Sequence, residues 1–354
     1  MKSYAKTRKS FLAIALLLTM VLALVSCGTP AATPAPPPAA SGEPAAPATP
    51  APINFPTKPI RIIVPFTAGG ASDLNARIIA DIINQEKLFP HPVIIINISG
   101  ANCAEGMSAV LTSDADGHTL FCTQTITLQS QHQMGSLPYS LSELDALAQA
   151  YDMPTLLVAS ADEPYDTVDE MLAYAAANPG EVVFCYSGVG ASTHLAMETF
   201  FNAVGVEYRD AFKLHSISGG AETTAAHLGK QIDVRFATAG DTVKYVESGD
   251  FKLLATTASE RSPDYPDVPT LWDLGYEAEF VNKQGIFMPK GVPAEVVQML
   301  TDAIEKATQT ERFKEYCETA GLDPKFRDST DFGAALAVDD AMITVLVDQI
   351  KERS

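Results

Sequence analysis

An α/β fold is the prediction of this 354-residue sequence, and three observations carry it. Short β-rich runs alternate with helical patterns from residue 60 to the end. Strand-like runs end repeatedly in glycine-containing turns that open helices. The roughly 300 residues from about position 54 onward suffice for two α/β lobes with sizeable cores. Alternation of this kind implies parallel or mixed sheets covered by helices.

The elements follow in order. Ile60–Val64 reads as a buried strand, and Ala71–Asn84 as a helix with Leu74, Ile78, Ile79 and Ile82 on one face. Val93–Asn97 and Thr119–Thr123 are strand-like. Thr167 and Glu170 form a capping box that opens a helix to Ala177, and Asn178-Pro179-Gly180 stops it. Val182–Tyr186 reads as a strand and Ser192–Ala203 as a helix; Gln231–Phe236 and Lys252–Ala255 read as strands. Pro293 opens a helix with Val296, Val297, Leu300 and Ile304 inward. Thr330–Lys351 is one long helix. There is no internal repeat.

The first residues are an address. Lys2, Lys6, Arg8 and Lys9 precede an apolar run of 15 residues, Phe11–Val25. That run is shorter than the ~20 residues a membrane-spanning helix needs, and the order is that of a secretory signal. Leu24-Val25-Ser26-Cys27 resembles the lipobox of bacterial lipoproteins, in which the cysteine is acylated and becomes the new N-terminus. Residues 28–53 are dominated by Ala, Pro, Thr, Gly and Ser, with Glu43 the one charge. Such a segment buries too little apolar surface to fold; about 25 residues in an extended, Pro-rich path reach up to ~80 Å. The expectation is a signal peptide over 1–27, lipidation at Cys27, a disordered tether over 28–53, and a folded part held outside a membrane. The formal charge is −19; removing the leader's four basic residues, with no acidic ones, takes it to −23. A chain this acidic is a poor partner for nucleic acid or anionic lipid. Cys103, Cys122, Cys185 and Cys317 show no C-x-x-C or zinc spacing, and buried reduced thiols are the expectation for Cys122 and Cys185. Neither a cofactor nor a metal is expected.

The chemistry lies in the turns. Ile60–Val64 runs into Pro65-Phe66-Thr67-Ala68-Gly69-Gly70, and Val182–Tyr186 into Ser187-Gly188-Val189-Gly190-Ala191-Ser192-Thr193. Ser216–Gly220 and Ala237–Asp241 are two further turns of the type. Glycine admits close approach of a ligand to the backbone, and the free N–H groups and dipole of a helix start favour an anion. Ligands of open α/β sheets sit at the carboxyl ends of strands. A single glycine before a helix is usually only a tight turn; four of them make a pattern. No nucleotide-binding motif is present: there is no G-x-x-x-x-G-K-[ST], and Thr193 stands where a dinucleotide loop needs its third glycine.

With these motifs in view, the stretch KPIRIIVPFTAGGASDLNAR (Lys58–Arg77) resembles the opening of Bug-type receptors, the extracytoplasmic solute-binding proteins of tripartite tricarboxylate transporters. Asp116-Gly117-His118-Thr119-Leu120, Leu137-Pro138-Tyr139, Tyr186–Gly190 with His194-Leu195, Gly229–Asp233 and Asp267–Thr270 match the family in order. The resemblance covers about residues 55–345 and implies a two-lobed, periplasmic-binding-protein-like fold, type II-like, with a ligand cleft between lobes. One lobe is expected from residues 54–155 plus 258–354 and the other from 156–257. The family holds carboxylates through main-chain amides, hydroxyls and waters. Carried over by position, Thr67, Ala68, Gly69, Gly70 and Asp73 are the contacts of one lobe, and Ser187, Gly188, Gly190, Ser192 and Thr193 those of the other. Thr125, Gly219, Gly220 and Asp241 are further candidates. The ligand implied is a small carboxylate (a di- or tricarboxylate, an aromatic acid or an acidic amino acid), the protein partners are the membrane permease subunits, and the receptor is a monomer. The sequence departs from the family pattern at Gly100–Gly106, His215–Gly219 and Ala237-Thr238, which bears on the identity of the ligand.

Two other functions fit less of the sequence. An enzyme needs a nucleophile, a base or a metal set, but the six histidines are scattered without H-x-x-x-H, and Ser187 is not in G-x-S-x-G. His194, seven residues from Ser187, reads as a packing residue of its helix rather than a base. A sensory adaptor that docks on a membrane kinase would keep the same ligand site and change only the partner.

Overall fold

The computed structural model describes residues 53–353 apart from Ser218, Pro263 and Asp264. The expected leader with Cys27, and all but the last residue of the expected tether, lie outside the described residues.

The chain runs β1 (Ile60–Val64), α1 (Ala71–Gln85), β2 (Val93–Asn97), α2 (Ala104–Leu111), β3 (Thr119–Gln124), α3 (Thr125–Gln133) and β4 (Leu144–Pro154). It continues through β5 (Leu156–Ser160), α4 (Val168–Ala177), β6 (Val183–Tyr186), α5 (Ser192–Val204), β7 (Lys213–Ser216), α6 (Gly220–Leu228), β8 (Val234–Ala237), α7 (Val243–Glu247) and β9 (Phe251–Thr256). β10 (Val281–Pro289), α8 (Ala294–Thr308), α9 (Glu311–Ala320), β11 (Asp323–Arg327) and α10 (Ser329–Arg353) complete it. Six strands form one sheet in the order β11-β4-β10-β3-β1-β2, and five form the other, β7-β6-β8-β5-β9. β1 pairs in parallel with β2 and β3, and β6 with β7 and β8; β4, β5, β9, β10 and β11 run antiparallel to their neighbours. The α/β prediction holds, with mixed sheets.

Local chemistry sets the helices much as expected. The Thr167 hydroxyl accepts the Glu170 N–H at 3.2 Å, satisfying one free donor of the first turn, while the Glu170 carboxylate reaches back past the cap to the Asp166 N–H at 2.8 Å. On α1, Ile78, Ile79 and Ile82 are buried, but Leu74 is 47% exposed. The first turn of that helix gives its inward positions to Asp73 and Asn75 instead, for reasons given below. Cys103, Cys122, Cys185 and Cys317 are free thiols, and burial pushes that of Cys122 up to about 12.

β10 is buried along its whole length although it reads Asn282-Lys283-Gln284-Gly285 in its first half. Each polar side chain there has a partner on a different helix. Asn282 Oδ1 accepts the Ile126 N–H of α3 at 3.3 Å. Lys283 Nζ lies 2.8 and 2.9 Å from the two Asp339 oxygens of α10. Gln284 Nε2 donates to the Ser72 carbonyl of α1 at 2.9 Å, and its Oε1 accepts from Asn75 at 3.3 Å. Gly285 lies under the Phe332 ring of α10, where a Cβ would fall 2.1 Å from a ring carbon.

α10 belongs to the cores of both sheets. Phe332 packs with Ile63, Phe121 and Phe287 of the six-stranded sheet. Ile343, Leu346 and Val347 pack with Leu157, Phe184 and Leu195 beside the five-stranded sheet. Leu271, Ala278 and Phe280 also pack with that second core. These side chains therefore sit with the five-stranded sheet, although they lie in the 258–354 segment that the sequence reading places in the first lobe.

The two chain connections between the sheets, β4 to β5 and β9 to β10, meet at one hydroxyl. Thr257 Oγ1 accepts the Thr155 N–H at 3.0 Å, sits 3.0 Å from Thr155 Oγ1, and donates to the Phe280 carbonyl at 2.5 Å. All of this is buried, so every polar atom needs its partner.

The Lys283–Asp339 pair generates a test. Burial raises the Asp339 carboxyl above its usual range in spite of Lys283, so the pair fixes where α10 lies more than it stabilises the fold. Asp339→Ala, which strands a buried ammonium, is expected to cost about 3 kcal/mol in urea unfolding. A loss under ~1 kcal/mol would show the pair to be solvated.

Candidate functional site

Parallel pairing places the glycine turns on the carboxyl edges of the two sheets. Residues 65–70 follow β1, and Thr125 follows its neighbour β3. Residues 187–191, 217–219 and 238–241 follow β6, β7 and β8, which are adjacent. The two edges meet on α3. At its start, Gln124 Nε2 donates to the Ser72 hydroxyl at 3.2 Å, and Gln124 Oε1 accepts from Asn282 at 3.2 Å. Farther along, Ser130 Oγ lies 2.6 Å from the Gly190 carbonyl, and Gln131 Nε2 lies 3.4 Å from that of Val189. At ~1.5 Å per residue, the six positions from Gln124 to Ser130 put the two turns ~9 Å apart along the helix. A second contact joins the edges at Gly321, where a Cβ would lie 2.2 Å from that of Ala239.

The first turn is held by a carboxylate. Asp73 Oδ2 accepts the Gly69 N–H at 2.8 Å and Arg77 Nε at 2.8 Å, and Oδ1 accepts from Asn97 Nδ2 at 2.8 Å. Asn97 Nδ2 also donates to the Phe66 carbonyl at 3.0 Å. Burial opposes ionisation of Asp73, but the hydrogen bonds from Arg77, Gly69 and Asn97 outweigh it and hold the carboxyl below its usual range. The side chain does not cap α1: Gly70 is the N-cap, with no side-chain bond. It is 1% exposed, with both oxygens engaged by the protein. Gly69, at φ 83°, supplies the left-handed turn, and a Cβ there would meet nothing within 4 Å. The backbone amides of exposed Thr67 and Ala68 have no partner among the described residues.

The second turn spends some of its amides internally. Ser187 N–H donates to Thr193 Oγ1 at 2.9 Å, and Gly190 N–H to His194 Nδ1 at 3.1 Å. His194 is buried, stacked on Tyr186 with centroids 4.2 Å apart, and its Nε2 is 3.5 Å from Glu198. Burial would raise the Glu198 carboxyl; His194, Arg209 and Arg353 together bring it down to about 2. His194 thus orders the turn, as the sequence reading expects of a packing residue. What the second turn presents is the Ser187 hydroxyl, Ser192, and the first amides of α5, which the helix itself leaves free.

Of the remaining candidates, Thr125 is buried, and its Oγ1 has no hydrogen-bond partner. Gly219 is the N-cap of α6 at φ 96°, and Gly220 is its first residue. Asp241 closes a short 3-10 turn; its side chain is outside the described residues. Among the described residues no cluster of His, Cys, Asp or Glu could hold a metal. Sequence reasoning missed Ser72, Gln124, Ser130 and Asn282, which join the two turns. The one signal for them is the end of the apolar run at Thr123, where a polar stretch starts a helix.

The family described as "Tripartite tricarboxylate transporter family receptor" matches residues 76–348. The chain belongs to that family. As a TctC-family member it is a solute-binding receptor, and the family is extracytoplasmic. Protein BugT of Bordetella pertussis (strain Tohama I) is 30% identical over 276 residues, 77% of this chain and 82% of BugT. The crystal structure of a TctC solute-binding protein from Polaromonas is 26% identical, with a TM-score of 0.71, covering 83% of this chain and 99% of that one. MatC from Rhodopseudomonas palustris with bound malate shares the fold at a TM-score of 0.67 and 23% identity, over 83% of this chain and 100% of that one. TctC receptors are not an enzyme family.

Asp73 now has a structural role to test. Three donors converge on its carboxylate, so Asp73→Asn must turn an NH2 group toward one of them. The expected cost is about 1–3 kcal/mol in urea unfolding, with weaker ligand binding as the turn loosens. A variant as stable as the parent would show that an amide satisfies the same three donors.

Proposed function

We propose that this TctC receptor captures a small carboxylate between the turn at Thr67–Gly70 and the turn at Ser187–Thr193, using main-chain amides and hydroxyls rather than a cation. The observation that carries this reading is the convergence of two glycine turns, each opening a helix, on α3, one at its start and one at Ser130 farther along. The cations beside them are already taken: Arg77 pairs with Asp73, and Lys283 with Asp339. An anion placed there would meet free amides of Thr67 and Ala68, the starts of α1 and α5, and the Thr125 hydroxyl; helix dipoles favour it. The ~9 Å spacing suits a small organic acid with a polar group at each end, and MatC is an instance of the fold holding malate. Asp73 takes the part of a positioning residue. Gly219, Gly220 and Asp241 lie on the same edge as the second turn, where they would border the ligand. The lobes are proposed to close about the Thr155–Thr257 crossing.

Gly70 tests the site with little risk to the fold. Its φ of −75° suits alanine, and a Cβ would meet only the Thr67 carbonyl at 3.4 Å. Gly70→Ala is expected to fold normally and to weaken binding about tenfold, the value of one hydrogen bond to a charged group. Ser187→Ala should act in the same direction more mildly. Calorimetry with citrate, malate, adipate, benzoate and glutamate is the measurement; unchanged binding in both variants would put the ligand elsewhere.

Anchoring is the second half of the proposal. Leu24–Cys27 and the Ala/Pro-rich segment after it support a mature protein that begins at acylated Cys27 and partitions with membranes, within reach of permease subunits. Cys27→Ser should release the protein or strand its precursor. A fully soluble wild-type protein with an unmodified serine or alanine at its N-terminus would contradict it.

A further inference from the structure

We propose that Ser130 is the latch of the closed cleft: a positioning residue that sets ligand affinity through the second turn without touching the ligand. The inference rests on the interlobe site proposed above. Ser130 is fully buried on α3, and its one hydroxyl proton has two acceptors in reach. The Thr127 carbonyl of its own helix is 3.0 Å away, and the Gly190 carbonyl across the seam is 2.6 Å away. The shorter contact takes the proton in the arrangement observed, which we take as the closed one. When the turn withdraws, the proton returns to Thr127, an ordinary bond of serine to its own helix. The hydroxyl is therefore satisfied in both states, and only the Gly190 carbonyl gains or loses a protein partner.

The Gly190 peptide is suited to this. The N–H in the same peptide plane as its carbonyl is that of Ala191, which donates to the Gly188 carbonyl at 3.2 Å, so the Gly190 carbonyl is aimed at α3 before the cleft shuts. Gly190 is buried with φ 75°, and a Cβ would lie 2.5 Å from Met134 Sδ and 3.0 Å from Gln131 Nε2. The backbone can seat against α3 only because no side chain intervenes. Closed, the carbonyl is shielded from water; without the Ser130 hydroxyl it would be buried unpaired, while the open form would lose nothing. The latch thus favours the closed form by differential interaction, the one way such an equilibrium can be biased.

Ser130→Ala in the purified protein tests it, because a buried methyl suits the α3 position and the helix keeps its own bonds. The unliganded variant is expected to scatter X-rays as a larger particle than the wild type. For whichever of citrate, malate, adipate, benzoate or glutamate the wild type binds, dissociation should be about five- to tenfold faster at nearly the same association rate. The melting temperature should stay close to that of the wild type. Unchanged scattering together with an unchanged dissociation rate would overturn the latch. If none of the acids binds the wild type, the carboxylate reading fails by itself, and the scattering comparison alone decides the latch: a larger unliganded variant supports it, an identical profile overturns it.

Discussion

Three consecutive polar residues in the middle of a buried strand fix the arrangement on which the site depends. Asn282, Lys283 and Gln284 of β10 each hold a different helix: α3, α10 and α1. A polar group buried without a partner costs more than a hydrogen bond returns, so only one arrangement of these helices satisfies all three. α1 carries the first turn, and α3 reaches from that turn to the second. α10 packs its first part on one core and its last part on the other. The placement of both turns thus follows from a strand whose side chains look, in isolation, like those of a loop.

That same strand shows where sequence reasoning stops. Elements with a clear period were legible: β1 and β2 fall on the residues expected, and α1, α5 and α10 fall within a few residues of theirs. β10 and β4 were missed. β10 is buried on both faces, yet half of it is Asn, Lys, Gln and Gly, and its burial is licensed by partners tens to hundreds of residues away. β4 lies between two antiparallel neighbours and has no simple alternation. Leu74 fits the apolar stripe of α1 but points outward, because Asp73 and Asn75 are needed inside by Gly69, Arg77, Gln284 and Tyr316. In the site, glycine and hydroxyl content marked both turns. It could not tell which amides stay free, since that depends on Thr193 and His194 folding back onto Ser187 and Gly190.

An anion receptor with a formal charge of −19 needs a local reason to bind anions. The protein offers oriented dipoles at helix starts, and it removes nearby charges from play by pairing them. Recognition by amides and hydroxyls lets a site fit different small acids through changes in turn sequence. The chain's place among the tripartite tricarboxylate transporter receptors and its fold are consistent with that economy.

The central claim is that a carboxylate is held between the two turns without a basic side chain. A crystal structure of the protein with a bound acid from the panel tests it most directly. The account predicts a carboxylate oxygen within ~3 Å of the Thr67 or Ala68 amide, with the far end of the ligand against Ser187 and Ser192. A ligand clamped by an arginine or lysine, or seated away from both turns, would contradict it.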